Sequence, residues 1–267
     1  MKRWLLLLLG GVLFCGCSSV GKPPLPKFAV SQTPRPAPPP PDPWAAKLGV
    51  TDVIYFGLTK RSDAEREPAW HIVATLQNSG ARVALGWTDL PATQQPLLDQ
   101  WQRQEISGPQ LLDRLAGPAR GDWLSRALRP DLLQLALGAP PELLRKIRAG
   151  ATLTAEEHAL LPNDYHPRSD AFDNFADRVA TSAHLRRYDL PHLYRAHLAA
   201  EQMIADNIVR FMRDHPEVKL LVFLPDDAMI NPREVADFAA QKSSLKQLIL
   251  DRSGTPAGAR ANLLARR

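Results

Sequence analysis

Five short apolar runs punctuate the chain, and segments with helical spacing lie between them. They read TDVIYFG (51–57), ARVALGW (81–87), LLQLALGA (132–139), EVKLLVFLP (217–225) and LKQLILD (245–251). Each is far shorter than the ~20 residues a membrane-spanning helix needs. Their apolar residues are nearly continuous rather than alternating, the mark of strands buried on both faces. Such strands, separated by helices, form a parallel sheet covered on both sides. The expectation is one three-layer α/β domain over residues 46–252. It has a mostly parallel sheet of about five strands and a helical insertion at about 140–215.

The helical segments carry their own boundaries. Residues 63–78 place Trp70, Val73, Leu76 and Gln77 at helical spacing, with Ser79-Gly80 as a stop. Residues 91–103 and 107–115 read as two further helices. PPELLRKIRAG opens on proline and closes on glycine, the usual asymmetry. In LTAEEHALL (153–161), Thr154 and Glu157 have capping-box spacing. A long helix is expected from about Leu190 to Asp214, ended by Pro216, and another over 231–242. Ligand sites in such folds lie at the carboxyl ends of the strands. The loops expected to carry chemistry are therefore 57–63, 87–91, 138–141 and 224–231.

The N-terminus reads MKRWLLLLLGGVLFCGCSSV. Lys2 and Arg3 precede a short apolar core, which fits a secretory signal and not a spanning helix. The run ends at Gly16-Cys17, which resembles a bacterial lipobox. Residues 1–17 are thus expected to be a lipoprotein signal peptide with Cys17 as the lipidated (palmitate-bearing) residue. Ser18 and Ser19 follow where an aspartate would favour retention in the inner membrane. The expected location is the cell envelope, lipid-anchored, at the outer membrane and facing the periplasm. Residues 18–45 are rich in proline, which excludes helix and sheet and favours polyproline II. At ~3.1 Å per residue, such a spacer reaches roughly 75 Å. Residues 253–267 read as a flexible tail.

Cys15 and Cys17 are the chain's 2 cysteines, so the domain has no disulfide and no cysteine metal site. The formal charge is +5, falling to near +3 once Lys2 and Arg3 are removed. The basic residues are scattered and not interleaved with aromatics, which gives nucleic-acid binding no support. No serine elbow, phosphate loop or nucleotide fingerprint occurs.

Several stretches together resemble a known family. VIYFG, ARVALGWTDLPATQQPLLDQW, LALGAPPELLRKIRAGATLTAEE, EQMIADNIVRFM and HPEVKLLVFLP…NP occur in the order seen in ChaN-like haem-binding lipoproteins. These are iron-regulated haem-uptake proteins, grouped in a superfamily with Tiki-type proteases and erythromycin esterases. The resemblance implies a membrane-anchored haem-binding lipoprotein of haem and iron uptake that is not an enzyme. Its implied partners are haem, an outer-membrane haem receptor and a second copy of the chain. Two other readings stay open: a degenerate scaffold or accessory lipoprotein of an outer-membrane uptake system, and a metal-dependent hydrolase.

The departures from the family's pattern fall at three strand ends. The first strand of the family ends in Gly-Glu-x-His, usually followed by Asp; here stand Gly57, Leu58, Thr59, Lys60 and Arg61. The second ends in Gly-Phe-Glu; here stand Gly86, Trp87 and Thr88. The fourth leads into a Gly-x-x-His loop; here stand Pro225, Asp226 and Asp227, then Asn231-Pro232. Glutamate and histidine converging there could hold a metal or move protons. Leu58 can do neither, and cationic Lys60 and Arg61 repel a metal. Asp226 and Asp227 are in a position to pair with Lys60 and Arg61. The pattern is that of a pseudoenzyme.

Other candidates come from chemistry alone. Tyr165, His166 and Arg168 sit together in LPNDYHPRSDAF. A tyrosinate is a hard ligand for ferric haem, His166 can hydrogen-bond to it, and Arg168 can pair with a propionate. A solvated loop is the plainer reading. His184, Tyr188, His192, Tyr194 and His197 form a Tyr–His run that could flank haem, or simply an amphipathic helix surface. Pro191 argues against one continuous helix through it. His71, beside Trp70, reads as an ordinary surface histidine.

Overall fold

The computed structural model describes residues 43–58, 63–115, 128–162, 172–180, 182, 185, 187–225 and 230–250. A short helix, α1 (Pro43–Gly49), leads into β1 (Val53–Leu58) and α2 (Asp63–Asn78). Then come β2 (Arg82–Pro91), a 3-10 turn (Ala92–Gln94), α3 (Gln95–Gln102) and α4 (Gly108–Leu115). After β3 (Leu133–Gly138) the chain forms α5 (Pro141–Arg148), α6 (Ala155–His158), α7 (Phe172–Ala180) and α8 (Leu190–Asp214). β4 (Val218–Pro225), α9 (Pro232–Lys242) and β5 (Gln247–Leu250) complete it.

The five described strands lie in the order β3-β2-β4-β1-β5, and every neighbouring pair is parallel. The sheet expected to be mostly parallel is parallel throughout its described strands. Right-handed crossovers then decide the layers. The steps from β1 to β2 and from β2 to β3 move one way along the sheet, so α2, α3 and α4 share a face. The steps from β3 to β4 and from β4 to β5 move the other way, which puts α7, α8 and α9 on the opposite face. The two core clusters follow this division. Ile72, Leu76, Leu98 and Leu111 pack on Phe56 and Trp87; Phe175, Leu198, Ile208 and Phe238 pack on Tyr55 and Val222.

The local signals behave as their chemistry requires. Thr154 accepts from the Glu157 N–H while the Glu157 side chain accepts from the Thr154 N–H, closing the capping box. α5 ends at Gly150, whose φ of +65° favours glycine; a Cβ there would also lie 2.4 Å from the His192 ring. The QQPLLDQWQ stretch (94–102) solves the edge problem of β3. Gln102 donates to Leu132 O and accepts from Gln134 N–H; Gln95 donates to Gln134 O and accepts from Ala136 N–H. Two glutamines, two helical turns apart, thus stand in for a neighbouring strand.

Three boundaries differ from the sequence expectation: residues 43–45, expected in the proline-rich spacer, begin α1, with Pro43 tolerated in the first turn, and two more lie around β2. β2 runs on to Pro91 instead of ending near Trp87, and the helix expected from 91 begins as a 3-10 turn. The extension needs a close approach to β3. A Cβ at Gly138 would sit 2.3 Å from the Thr88 carbonyl oxygen, so only glycine lets the two strands meet there. The insertion also holds α7, for which the sequence pattern shows no distinct signal.

α8 differs from the other helices in how fully it is enclosed. Of its 25 residues, 14 are buried, so it is covered nearly all round instead of presenting one apolar stripe. Its buried polar residues, His197, Glu201 and Gln202, must therefore be satisfied inside the protein.

Candidate functional site

In an open parallel sheet the ligand crevice opens where connections leave neighbouring strands in opposite directions. In this order that point lies between β2 and β4. Within the core on the α2 face of these two strands, Trp87 and Phe223 are paired in register, and their rings stack with centroids 4.6 Å apart at 17°. Phe56 and Trp70 meet Phe223 edge-on, each at 6.3 Å. The Trp87 Nε1–H donates to Gln134 Oε1 at 2.8 Å, and the Thr88 hydroxyl donates to Phe223 O at 2.9 Å. Trp87 is fully buried. These are packing contacts at and beside the position where the family resemblance leads one to expect an acid. Lys60, Arg61, Asp226 and Asp227, with the pairing expected between them, lie outside the described residues.

A second concentration of chemistry lies where α7, α8 and α9 meet. His197 and Glu201 stand one turn apart on α8 and are both fully buried. Glu234 is the third residue of α9, which Asn231 caps by accepting from the Arg233 N–H. His197 Nε2 lies 3.0 Å from Glu234 Oε2 and 3.3 Å from Glu201 Oε2. Arg178 reaches in from α7, its Nη1 donating to Glu234 Oε1 at 2.8 Å and its Nη2 lying 3.1 Å from His197 Nε2. Asn231 links both acids: its N–H donates to Glu201 Oε1 at 2.6 Å and its Nδ2 to Glu234 Oε1 at 2.9 Å. The Phe175 ring stacks on the His197 ring at 4.6 Å and closes that side.

The two acids are driven apart in acidity. Burial pushes the Glu201 carboxyl well above the usual range, and the nearby Glu234 charge adds to the effect. For Glu234, burial acts upward, but hydrogen bonds from His197, Glu201 and Arg178 outweigh it and hold the group well below that range. Glu234 is thus driven toward the carboxylate form and Glu201 toward the acid form. His197 Nε2 faces a guanidinium donor and two carboxylate oxygens at once. One hydrogen on that nitrogen can serve only one of the oxygens. Chemically, the arrangement pairs the Glu234 carboxylate with the Arg178 guanidinium and crowds two carboxyl oxygens onto one imidazole nitrogen.

A model of the family described as haem-binding uptake, Tiki superfamily, ChaN, matches residues 44–224, well over half the chain. The chain belongs to this family. A solved structure of cofacial haem binding to ChaN of Campylobacter jejuni resembles it with a TM-score of 0.59 at 15% identity. That likeness, which is one of fold, covers 79% of this chain and 88% of the other. No curated protein sequence matches.

The chemistry of the sequence places its candidate haem donors in the insertion. Tyr165, His166 and Arg168, with His184 and Cys17, lie outside the described residues. Tyr188 and His192 do not share a helix, because α8 begins at Leu190 with Pro191 in its first turn. Tyr188 is half-buried and lies between two guanidinium groups. Arg148 is 5.8 Å and Arg187 5.1 Å from its ring centre, and Arg187 Nη2 donates to its hydroxyl at 3.2 Å. Tyr194 and His197, expected on a helix surface, are instead buried. The third layer accounts for this correction: α7 packs Phe172 and Phe175 on the Tyr194 ring, each 5.2 Å away. His71 is exposed, as expected.

Sequence reasoning missed Glu201, Glu234 and Arg178. A usable signal existed for one pair. His197 and Glu201 are spaced i,i+4 within a run that is otherwise apolar at AHLAA, which places two ionisable groups on one buried face. Glu234 and Arg178 come from other elements and leave no local trace.

Proposed function

We propose that the chain is a lipid-anchored haem-binding protein of the cell envelope that takes part in haem uptake and catalyses no reaction. The observation that carries this reading is the family match over residues 44–224. Two features of the molecule support it. Trp87, next to the position where the family resemblance leads one to expect an acid, is stacked on Phe223 within the core. Tyr188 offers a half-buried phenol between Arg148 and Arg187. A phenolate oxygen suits ferric haem, and guanidinium groups suit its propionates. These donors therefore fit haem as cargo, and Tyr165 with His166 and Arg168 adds a second phenol of the same kind. Cys17 holds the anchor and residues 18–45 the spacer. The domain thereby stands off the outer membrane within reach of a haem receptor and of a second copy of itself.

The test is a haemin titration of the purified full chain, followed through the Soret band. Saturable binding that weakens at least tenfold in Tyr165→Phe or Tyr188→Phe is the expected result. A folded chain that gives no saturable shift ends the haem reading and leaves a scaffold role. Radiolabelled palmitate should enter the wild-type chain and not Cys17→Ser; equal labelling of both overturns the anchor.

A further inference from the structure

We infer that His197, Glu201 and Glu234 form a binding site for one divalent first-row transition-metal ion of the zinc type. The inference is independent of haem binding. Each of the three residues offers one donor atom, and these atoms lie within 4.8 Å of one another. The spacing is that of ligands around an ion. Bonds of 2.0–2.1 Å in tetrahedral geometry set neighbouring donors about 3.3 Å apart. His197 Nε2 lies 3.3 Å from Glu201 Oε2 and 3.0 Å from Glu234 Oε2.

The outer contacts sort the oxygens in the same way. On each carboxylate, Oε1 is tied down and Oε2 is turned toward the imidazole. Glu201 Oε1 accepts from the Asn231 N–H, and Glu234 Oε1 accepts from Asn231 Nδ2 and Arg178 Nη1. Hydrogen bonds to the second oxygen of a ligating carboxylate orient the first toward its metal. Glu201 Oε2 is the independent sign of a ligand. It belongs to a fully buried residue and accepts no hydrogen bond; without an ion, only a proton shared with Glu234 relieves what is otherwise a costly unpaired oxygen. A bound ion would take the place of that proton.

Arg178 is the group a metal must accommodate. With a neutral imidazole and Glu201 carrying its proton, ionised Glu234 and the guanidinium sum to neutrality; a divalent ion that displaces that proton leaves one positive charge. The ion thus adds a single charge beside the guanidinium, with the Glu201 proton as the leaving group. The guanidinium must yield only its 3.1 Å contact with His197 Nε2, while its bond to Glu234 Oε1 holds the carboxylate in place. One nitrogen and two carboxylate oxygens form a borderline donor set, suited to zinc, iron(II) and manganese(II) rather than to calcium.

The experiment uses the full chain, purified in detergent and stripped with chelator, titrated with zinc chloride and separately with cobalt chloride. We expect one equivalent of zinc that raises Tm, and cobalt absorption in the visible that zinc displaces. Glu201→Gln and Glu234→Gln keep shape and outer hydrogen bonding, and each should weaken binding at least tenfold. His71→Gln, at an exposed histidine, should bind as the wild type does. Equal zinc affinity in the wild type and both glutamine variants overturns the site. Should the variants fail to fold, the unmodified chain decides: absence of visible cobalt bands at stoichiometric loading overturns the site as firmly.

Discussion

The mouth of the sheet and the junction of α7, α8 and α9 are built in opposite ways. Near the mouth, Trp87 and Thr88 stand where the family resemblance leads one to expect Phe-Glu. Their contacts are a stacked ring and a hydroxyl bonded to a backbone carbonyl. At the junction, two carboxylates, an imidazole and a guanidinium are enclosed within an otherwise apolar helix layer. Apolar packing of the first kind is inherently stabilising. Burying charges of the second kind carries a desolvation cost of several kcal/mol per ion, and well-packed apolar residues often do as well or better. The Trp87 region is therefore built as core. The junction has the signature of groups kept for a purpose other than stability.

The largest expected effect tests the first half of that contrast. Trp87→Ala removes the stack on Phe223 and the bond to Gln134, and leaves a cavity at the centre of one face. It should lower unfolding stability by about 3–5 kcal/mol in urea titration. A loss under about 1 kcal/mol would mean the ring lies loosely in an open crevice, and the contrast would collapse.

The second test moves to the junction. Arg178→Met leaves Glu234 without its guanidinium partner, next to Glu201. Removing one partner of a buried pair costs about 3–5 kcal/mol. The side chain of Arg178 is 30% exposed, so about 2 kcal/mol is expected. The double variant Arg178→Met/Glu234→Gln should recover most of that, because the stranded charge has gone. Additive single losses would show that the two groups are not coupled.

Thr88→Val is a smaller probe of the mouth. It deletes one buried hydroxyl bond to Phe223 O at nearly constant volume, and should cost about 1 kcal/mol. A neutral result would leave the plug resting on the aromatic stack alone.

The legibility of each region in the sequence depends on where its information sits. The β4 strand and the α8 bounds are plain, since a nearly continuous apolar run and a terminal Pro216 are local signals. The capping box at Thr154 is equally local. The loss of acids at the strand ends shows through the family resemblance. What fills the gap does not show, because Trp87 meets Phe223 only through the β2–β4 register. The junction is least legible. His197 reads as a surface residue because the covering helix α7 carries no clear pattern in the sequence. Glu234 joins it only after the chain has crossed β4. A buried polar cluster assembled from three helices is a property of packing, and no window of sequence contains it.

The last test is one of sign, and its effect vanishes at the acid end of the range. In the chelator-treated protein Glu201 is pushed toward the acid form, chiefly by burial and then by the Glu234 charge. In the unfolded chain the same group ionises near the ordinary glutamate value. Between those two points the native state binds more protons than the unfolded one, so stability falls as pH rises. Glu234 works the other way. Its hydrogen bonds favour the ionised form, so its contribution is present above the ordinary value and lost as pH drops below it. Glu201→Gln removes the first slope and leaves the second. Wild type and variant should therefore unfold alike near pH ~4, and the variant should become the more stable as pH rises toward ~8. A variant that is less stable at the alkaline end would mean that Glu201 is ionised and favourably paired in the native state. The junction would then stabilise the fold as the mouth does, and the contrast between them would be gone.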